Sequence, residues 1–324
     1  MPNAYTAILI AAHNAAGTIG RAVRSALAEP EASEVIVIDD ASTDGTKDAA
    51  RAADDGSGRL KILVQPKNAG PSAARNRGIK ESTAPWIGIL DADDFFVPGR
   101  LKSLLTLADH ADLIADDAGQ VSESNIDGPR KSLLGEALSQ PRQINFAEFA
   151  SSNVTDPQRP RGELGFIKPL MRREFLDKHN IRYQEHMRLG EDYELYARAL
   201  AFGARLYLAP TQGYVSVLRS NSLSGQHSED DLHNLRDCDY ALGKIPGLTP
   251  SDKTALRQHF LSVDCRLQWR LLIKAVKERN VGAAIHTFLR PLPVPYYLIK
   301  KLTEQFFMRT TKILKIPPTS NGKS

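Results

Sequence analysis

The sequence predicts an α/β protein with a doubly wound, mostly parallel sheet flanked by helices and a C-terminal helical extension. Three observations lead there. Short apolar runs of strand length alternate with segments of helical periodicity through residues 5–115. Those runs are continuously apolar, as strands covered on both faces are. From Asp230 onward the pattern becomes mostly helical.

The elements follow in order. Tyr5 to Ala11 is the first strand, and Thr18 to Ala28 sets Ile19, Ala22, Val23, Ala26 and Leu27 on one helical face. Glu34 to Ile38 is a β-branched strand ended by Asp39-Asp40. The turn signals Ser42-Thr43-Asp44 precede a helix over 45–53, and Leu60 to Val64 is the third strand. Pro71 opens a helix running to Ile79, a position where the missing N–H is no loss. Trp86 to Leu90 is the fourth strand, Pro98 to Leu107 a helix, and Asp112 to Ala115 a fifth strand. Residues 119–162 are polar and rich in Pro, Gly, Ser and Gln, and read as a mobile loop or insertion. Gly165-Phe166-Ile167 reads as another strand, Glu191 to Phe202 as a helix and Ala204 to Leu208 as a strand.

The 324 residues, 42% hydrophobic and 25% charged, suit one large or two ordinary soluble domains. Neither a signal peptide nor a spanning run of about 18 apolar residues is expected. Two cysteines, Cys238 and Cys265, make neither a disulfide framework nor a zinc site, so a reducing, cytoplasmic location is the expectation. The formal charge of +4 is unevenly placed. Residues 294–324 hold six Lys or Arg against one Glu, while the other 293 residues carry 36 basic and 37 acidic side chains. The body is near neutral, so no nucleic-acid partner is expected.

In sheets of this class ligands bind at the carboxyl ends of the strands. Here those ends carry His13-Asn14, Asp39-Asp40 and Asp91-Ala92-Asp93. Two carboxylates at i and i+2 of an extended end point the same way and can hold a hard divalent cation, which in turn holds a diphosphate. An isolated Asp-x-Asp is more often a solvated acidic loop, but three strands delivering polar groups to one crevice favour a site. The glycine-rich dinucleotide fingerprint and the Walker A loop are both absent.

Five segments then carry a resemblance. They are Ile10 to Asn14, Val35 to Thr46, Asn68 to Ile79, Leu90 to Asp94 and Gly190 to Leu195. In this order and spacing the chain resembles a family 2 glycosyltransferase of the GT-A fold over residues 4–225, and its length and C-terminal layout are similar to bacterial exopolysaccharide glycosyltransferases. The resemblance implies a catalytic domain over 1–225, with a donor-binding half over 1–117 and an acceptor half over 118–225. Residues 226–324 would be a helical region ending in a basic amphipathic tail. It implies an inverting, metal-dependent transfer from a UDP-sugar to a saccharide or polyprenyl-linked saccharide.

The nucleotide-binding set it implies is Ala11, His13, Asn14, Asp40, Lys67, Asn68, Arg75, Asp91 and Ala92. Asp40 would accept the N3–H of uracil, the alternative being a helix cap at a strand end. His13 stands where many relatives have Tyr, so stacking on the base is the weaker part of the match. Arg75 would reach the base or the diphosphate, against a plain surface ion pair. Asp93 is the implied ligand of Mn²⁺ or Mg²⁺, and His227, in the polar run 219–227, is either a further metal ligand, a phosphate donor or a solvated side chain. Asp192 is the implied general base, with Glu191 orienting the acceptor or sugar hydroxyls; acidic residues also suit any first helical turn. Two other readings are a sugar-nucleotidyltransferase, disfavoured because residues 11–21 lack its Gly-rich basic loop, and a non-catalytic nucleotide-sugar-binding component of a polysaccharide machine.

The tail from Val294 to Ile316 combines Tyr, Phe, Leu and Ile with Lys and Arg at helical spacing. It reads either as a helix lying in an anionic membrane surface, at the inner face of the cell membrane, or as a helix packed on the catalytic domain.

Overall fold

The computed structural model describes residues 5–135, 138–154, 162–219 and 228–313, with side chains to residue 308 in the last helix. The first half runs β1 (Thr6–Ala12), α1 (Ile19–Leu27), β2 (Ala32–Asp39), α2 (Thr46–Arg51), β3 (Leu60–Val64), α3 (Pro71–Glu81) and β4 (Trp86–Ile89). Then come β5 (Phe95–Phe96), α4 (Arg100–Leu105), β6 (Leu113–Ala115), β7 (Ala118–Ser122), β8 (Lys131–Ser132), β9 (Arg142–Ile144) and α5 (Phe146–Ser152). The rest is β10 (Leu170–Arg172), α6 (Arg173–Lys178), α7 (Glu191–Ala201), β11 (Leu206–Leu208), β12 (Tyr214–Leu218), α8 (Glu229–Leu242), α9 (Pro250–Lys277), α10 (Val281–Phe288) and α11 (Val294–Ile313).

Among the described residues the main sheet has eight strands in the order β3-β2-β1-β4-β10-β6-β11-β9. The pairs β1–β2, β2–β3, β1–β4 and β6–β11 are parallel, and β10 lies antiparallel between β4 and β6. Ile8, Leu9 and Ile10 of β1 and Val35 to Ile38 of β2 are fully buried, which explains why these strands read as unbroken apolar runs. The five apolar positions of α1 picked out by spacing are all buried. The strand order reverses between β1 and β4, where Leu9 pairs with Ile89. That switch point opens the crevice at the carboxyl ends of both strands.

Two expectations are corrected. Residues 165–167 are not a strand: Leu164–Phe166 is a 3-10 turn and the strand is Leu170–Arg172. Residues 119–162 are not a plain mobile loop, since they hold most of β7 together with β8, β9 and α5. The polar content hid this order. Asp117 accepts hydrogen bonds from Ser132 Oγ, the Leu134 N–H and Gln212 Nε2, so the stretch around β8 is held by a buried carboxylate, while α5 buries Phe146, Phe149 and Ala150. β5, β12, β7 and β8 form a second, four-stranded sheet.

The main core continues into the C-terminal helices through Leu232, Leu235, Leu242, Leu256, Val263 and Leu267. Both α8 and α9 start with reciprocal capping boxes, Ser228 with Asp231 and Thr249 with Asp252. A buried polar link joins them to α7: Tyr193 donates to Asp239 at 2.9 Å, and His259 Nδ1 lies 2.7 Å from the same carboxylate. In α11, Val294 and Leu298 turn inward against Cys265 and Leu272, while Tyr296 and Ile299 face solvent. Through residue 308 this helix is therefore packed along one side and open along another.

Asp239→Ala leaves two buried polar groups without their acceptor, so we expect a stability loss of about 1–3 kcal/mol in urea unfolding. An unchanged midpoint would show that the link contributes nothing.

Candidate active site

The crevice is walled by the loops that leave β1 and β2. His13 Nδ1–H donates to the Asp40 carbonyl at 2.9 Å, which leaves Nε2 as the acceptor, 3.3 Å from Asn14 Nδ2. Asn14, at φ 51°, accepts from the Thr43 N–H and donates its own N–H to Ser42 Oγ, so it staples the two loops together. Asp40 is buried and accepts from Gln65 Nε2, the Ala69 N–H and the Gly70 N–H, all at 2.7–2.8 Å. About one of its four lone-pair directions is left for a ligand. Ala11 and Ala92 are half-buried at the crevice floor, while Lys67 and Asn68 are exposed on the loop ahead of α3.

The centre of the crevice is a closed circuit of charge. Arg75, in the second turn of α3, donates to Asp91 at 2.8 Å, Glu191 at 2.9 Å and Asp192 at 3.3 Å. Lys168 Nζ lies 2.5 Å from Asp192 and 3.0 Å from Asp91. The Tyr183 hydroxyl donates to Asp192 at 3.1 Å and the Tyr196 hydroxyl at 3.5 Å. Tyr183 is held in turn by Asn76, which bonds both its N–H and its C=O, and its ring lies under the Arg75 guanidinium. Gly190, at φ 78°, turns the chain into α7 and abuts Leu235 where a Cβ would clash at 2.8 Å. Glu191 and Asp192 thus occupy the first turn of α7, where the helix dipole also favours negative charge.

Burial raises the Asp91 carboxyl, but Lys168 and Arg75 overcome it and hold the group well below the usual range. Burial would depress Lys168, yet Asp192 and Asp91 raise it and keep it charged. Glu191 is raised by burial and then by its neighbour Asp192, with Arg75 opposing. The phenols of Tyr183 and Tyr196 are pushed well up by burial, so both remain donors.

The rest of the acidic run diverges. Asp94 is buried, accepts from the Tyr214 hydroxyl at 2.7 Å and the Val217 N–H at 2.8 Å, and ties β12 to the crevice. Burial, then Asp91 and Asp93, push it up to about 8. Asp93 points another way and is more open, with Arg219 Nε 3.6 Å away. Its carboxyl is raised by burial and then by Asp91, with Arg219 and Lys168 opposing. Asp93 is the carboxylate here that could take a hard divalent cation; among the described residues no group of three or more metal-ligating side chains occurs. His227 lies outside the described residues.

The structure therefore brings Arg75, Asp91, Glu191 and Asp192 together and sets His13, Asn14 and Asp40 on the adjoining wall. Arg75 is not a surface ion pair; it is buried among carboxylates. Lys168, Tyr183, Tyr196 and Tyr214 were missed from the sequence. A lysine before Pro169 and scattered tyrosines carry no local pattern, because they reach the crevice only through chain reversals.

Three comparisons with known proteins bear on this geometry. Residues 7–178 match the pattern of Glycosyl transferase family 2. The succinoglycan biosynthesis protein ExoU of Rhizobium meliloti (strain 1021) is 46% identical over 294 residues, covering 89% of this chain and 84% of that protein. The chain belongs to glycosyl transferase family 2. Another relative of this glycosyltransferase, the succinoglycan biosynthesis protein ExoO of the same strain, is 33% identical over 87% of the chain and 80% of its own length. Among solved structures, S. aureus TarS 1-349 in complex with UDP-GlcNAc superposes with a TM-score of 0.64 at 16% identity, covering 87% of this chain and 90% of that one. That likeness shows the fold, a GT-A-like sheet with helices following it.

Lys168→Met should lower stability by about 3 kcal/mol, the lower end for a broken buried pair because Asp91 stays partly solvated. Adding Asp192→Asn should recover part of the loss by removing a stranded charge. Additive losses in the double-mutant cycle would disprove the coupling.

Proposed function

We propose that this family 2 enzyme is an inverting, metal-dependent glycosyltransferase. It moves a sugar from a UDP-sugar to a saccharide or polyprenyl-linked saccharide during exopolysaccharide assembly. The observation that carries the reading is the junction of Asp91 with Asp192 through Lys168 and Arg75, which sets a donor-side carboxylate beside a carboxylate on a helix start. Support for the polymer comes from the two relatives named for succinoglycan biosynthesis. Support for the nucleotide comes from the structural neighbour, which was solved with UDP and with UDP-GlcNAc.

In this reading Asp192 accepts the proton of the acceptor hydroxyl as that oxygen attacks the anomeric carbon. Attack comes from the face opposite the departing diphosphate, so an α-linked donor gives a β-linked product and no enzyme nucleophile is needed. Lys168, Tyr183 and Arg75 hold the carboxylate at a fixed angle, and Glu191 orients hydroxyls beside it. Asp40 and His13 face the base, with Asn14, Lys67 and Asn68 completing that wall, while Asp91, between Ala11 and Ala92, faces the ribose or donor sugar. Asp93 is the residue that would hold Mn²⁺ or Mg²⁺, which would neutralise the charge that builds on the departing diphosphate. His227 is proposed as a further ligand or phosphate donor. A lipid-linked acceptor also places the enzyme on the cytoplasmic, anionic face of the cell membrane; none of the described helices is long and apolar enough to cross it.

Asp192→Asn keeps the shape and removes the basicity, so UDP release with acceptor should fall by about 10²–10⁴ while calorimetric donor affinity holds. Equal loss of donor affinity would move Asp192 from catalysis to binding. Asp93→Ala should abolish the gain in UDP affinity that Mn²⁺ gives and leave metal-free affinity unchanged. Full wild-type activity in EDTA would remove the metal from the scheme.

A further inference from the structure

The elbow formed by the end of α9, α10 and the start of α11 gathers many of the exposed large apolar side chains among the described residues. Val281, Ile285 and Leu289 follow at four-residue spacing along α10 and are 57–74% exposed. Leu292, Tyr296, Ile299 and Leu302 continue the stripe along the α10–α11 turn and α11, all exposed. This outer stripe is distinct from the inner seam of Val294 and Leu298, which is already used against α9. Between α9 and α10 lies an open hollow of about 330 Å³, lined by Val276, Val281, Ala284, Ile285 and Phe288 with Arg279 at its edge. A patch of this extent on a chain of ordinary composition calls for an occupant.

Charge selects the occupant. Residues 273–308 hold six Lys or Arg and two Glu. Lys274 pairs with Glu229, Lys301 with Glu304 and Arg290 with Asp264. Lys277 and Arg279 form no ion pair with a described carboxylate, Lys300 has nearby only Glu304, which already pairs with Lys301, and all three are exposed. A second copy of this chain would bring the same positive charge to the same face. An anionic bilayer brings acyl chains for the stripe and hollow, and phosphates for the three cations.

We propose that this elbow is the membrane-docking surface: its apolar ridge enters the acyl boundary of an anionic leaflet, and Lys277, Arg279 and Lys300 meet the lipid phosphates. The proposal rests on the reading that the enzyme works at a membrane, and replaces the outline of a basic tail with a defined surface. Docking by the elbow, rather than by the tail alone, ties the membrane plane to α9. Through Asp239 and His259 that helix is joined to α7, which carries Asp192. The crevice is thereby held at a fixed height above the lipid.

The test is cosedimentation of the full chain with vesicles of phosphatidylcholine, with and without roughly one third phosphatidylglycerol. The wild type should bind the anionic vesicles, and raised salt should weaken binding. Ile285→Glu/Leu289→Glu changes only solvent-facing positions and should weaken binding by about tenfold or more. Lys277→Glu/Lys300→Glu should do the same while keeping the apolar ridge, which guards against a folding defect in the first variant. Both should keep the wild-type rate of UDP release with a water-soluble acceptor. Binding unchanged in both variants overturns the proposal. So does a wild type that ignores anionic vesicles but forms a dimer that Ile285→Glu/Leu289→Glu dissociates, since the occupant is then a second copy. Vesicle binding by a chain that turns over no UDP-sugar leaves the surface standing and removes the catalytic reading instead.

Discussion

The structure of the crevice depends on one arrangement: two cations, Arg75 and Lys168, shared among the carboxylates Asp91, Glu191 and Asp192. None of the five could be buried alone, because an unpaired charge in such a site is costly. Together they neutralise one another's charge, with Arg75 Nε left as a buried atom without a hydrogen-bond partner, and the circuit ties α3, β4, α7 and the segment before β10 to each other. Removing one member strands at least one partner, so the group is cooperative in the sense of a polar network rather than a set of pairs. The tyrosines complete it by donating from phenols that burial keeps protonated.

The sheet explains how these residues meet. β1 and β4 are parallel neighbours, so their carboxyl ends share one edge. β10 runs antiparallel beside β4, so its beginning lies at that same edge. Lys168, two residues before β10, is thereby delivered next to Asp91. Running against both its neighbours β4 and β6, β10 thus adds the start of a strand to the strand ends and helix starts that build the site. The Asp94 link to Tyr214 and Val217 does similar work for the second sheet, pinning β12 and so Arg219 beside Asp93.

Much of this was legible beforehand, for physical reasons. Fully buried strands must be apolar throughout, so β1, β2 and β4 stand out, and their carboxyl ends mark where polar groups can gather. The face of α1 showed itself by period. Segments organised by polar bonds did not. Ser132 and Leu134 are held by Asp117 with no apolar stripe to announce it, and Leu164–Phe166 is apolar enough to imitate a strand while turning too tightly to be one.

The sequence by itself determined the α/β class, the strand ends at His13, Asp40 and Asp91, the acidic start of α7 and the basic character of the C-terminal region. Each is written in consecutive residues, where periodicity, capping and charge act over a few positions. Tertiary structure alone decided that Arg75 is buried among carboxylates, that Lys168 joins Asp91 to Asp192, and that α11 turns Val294 and Leu298 inward while leaving a second apolar stripe outside. Those contacts join residues far apart in the chain, and which partners meet is set by strand order and helix packing, to which no local pattern responds.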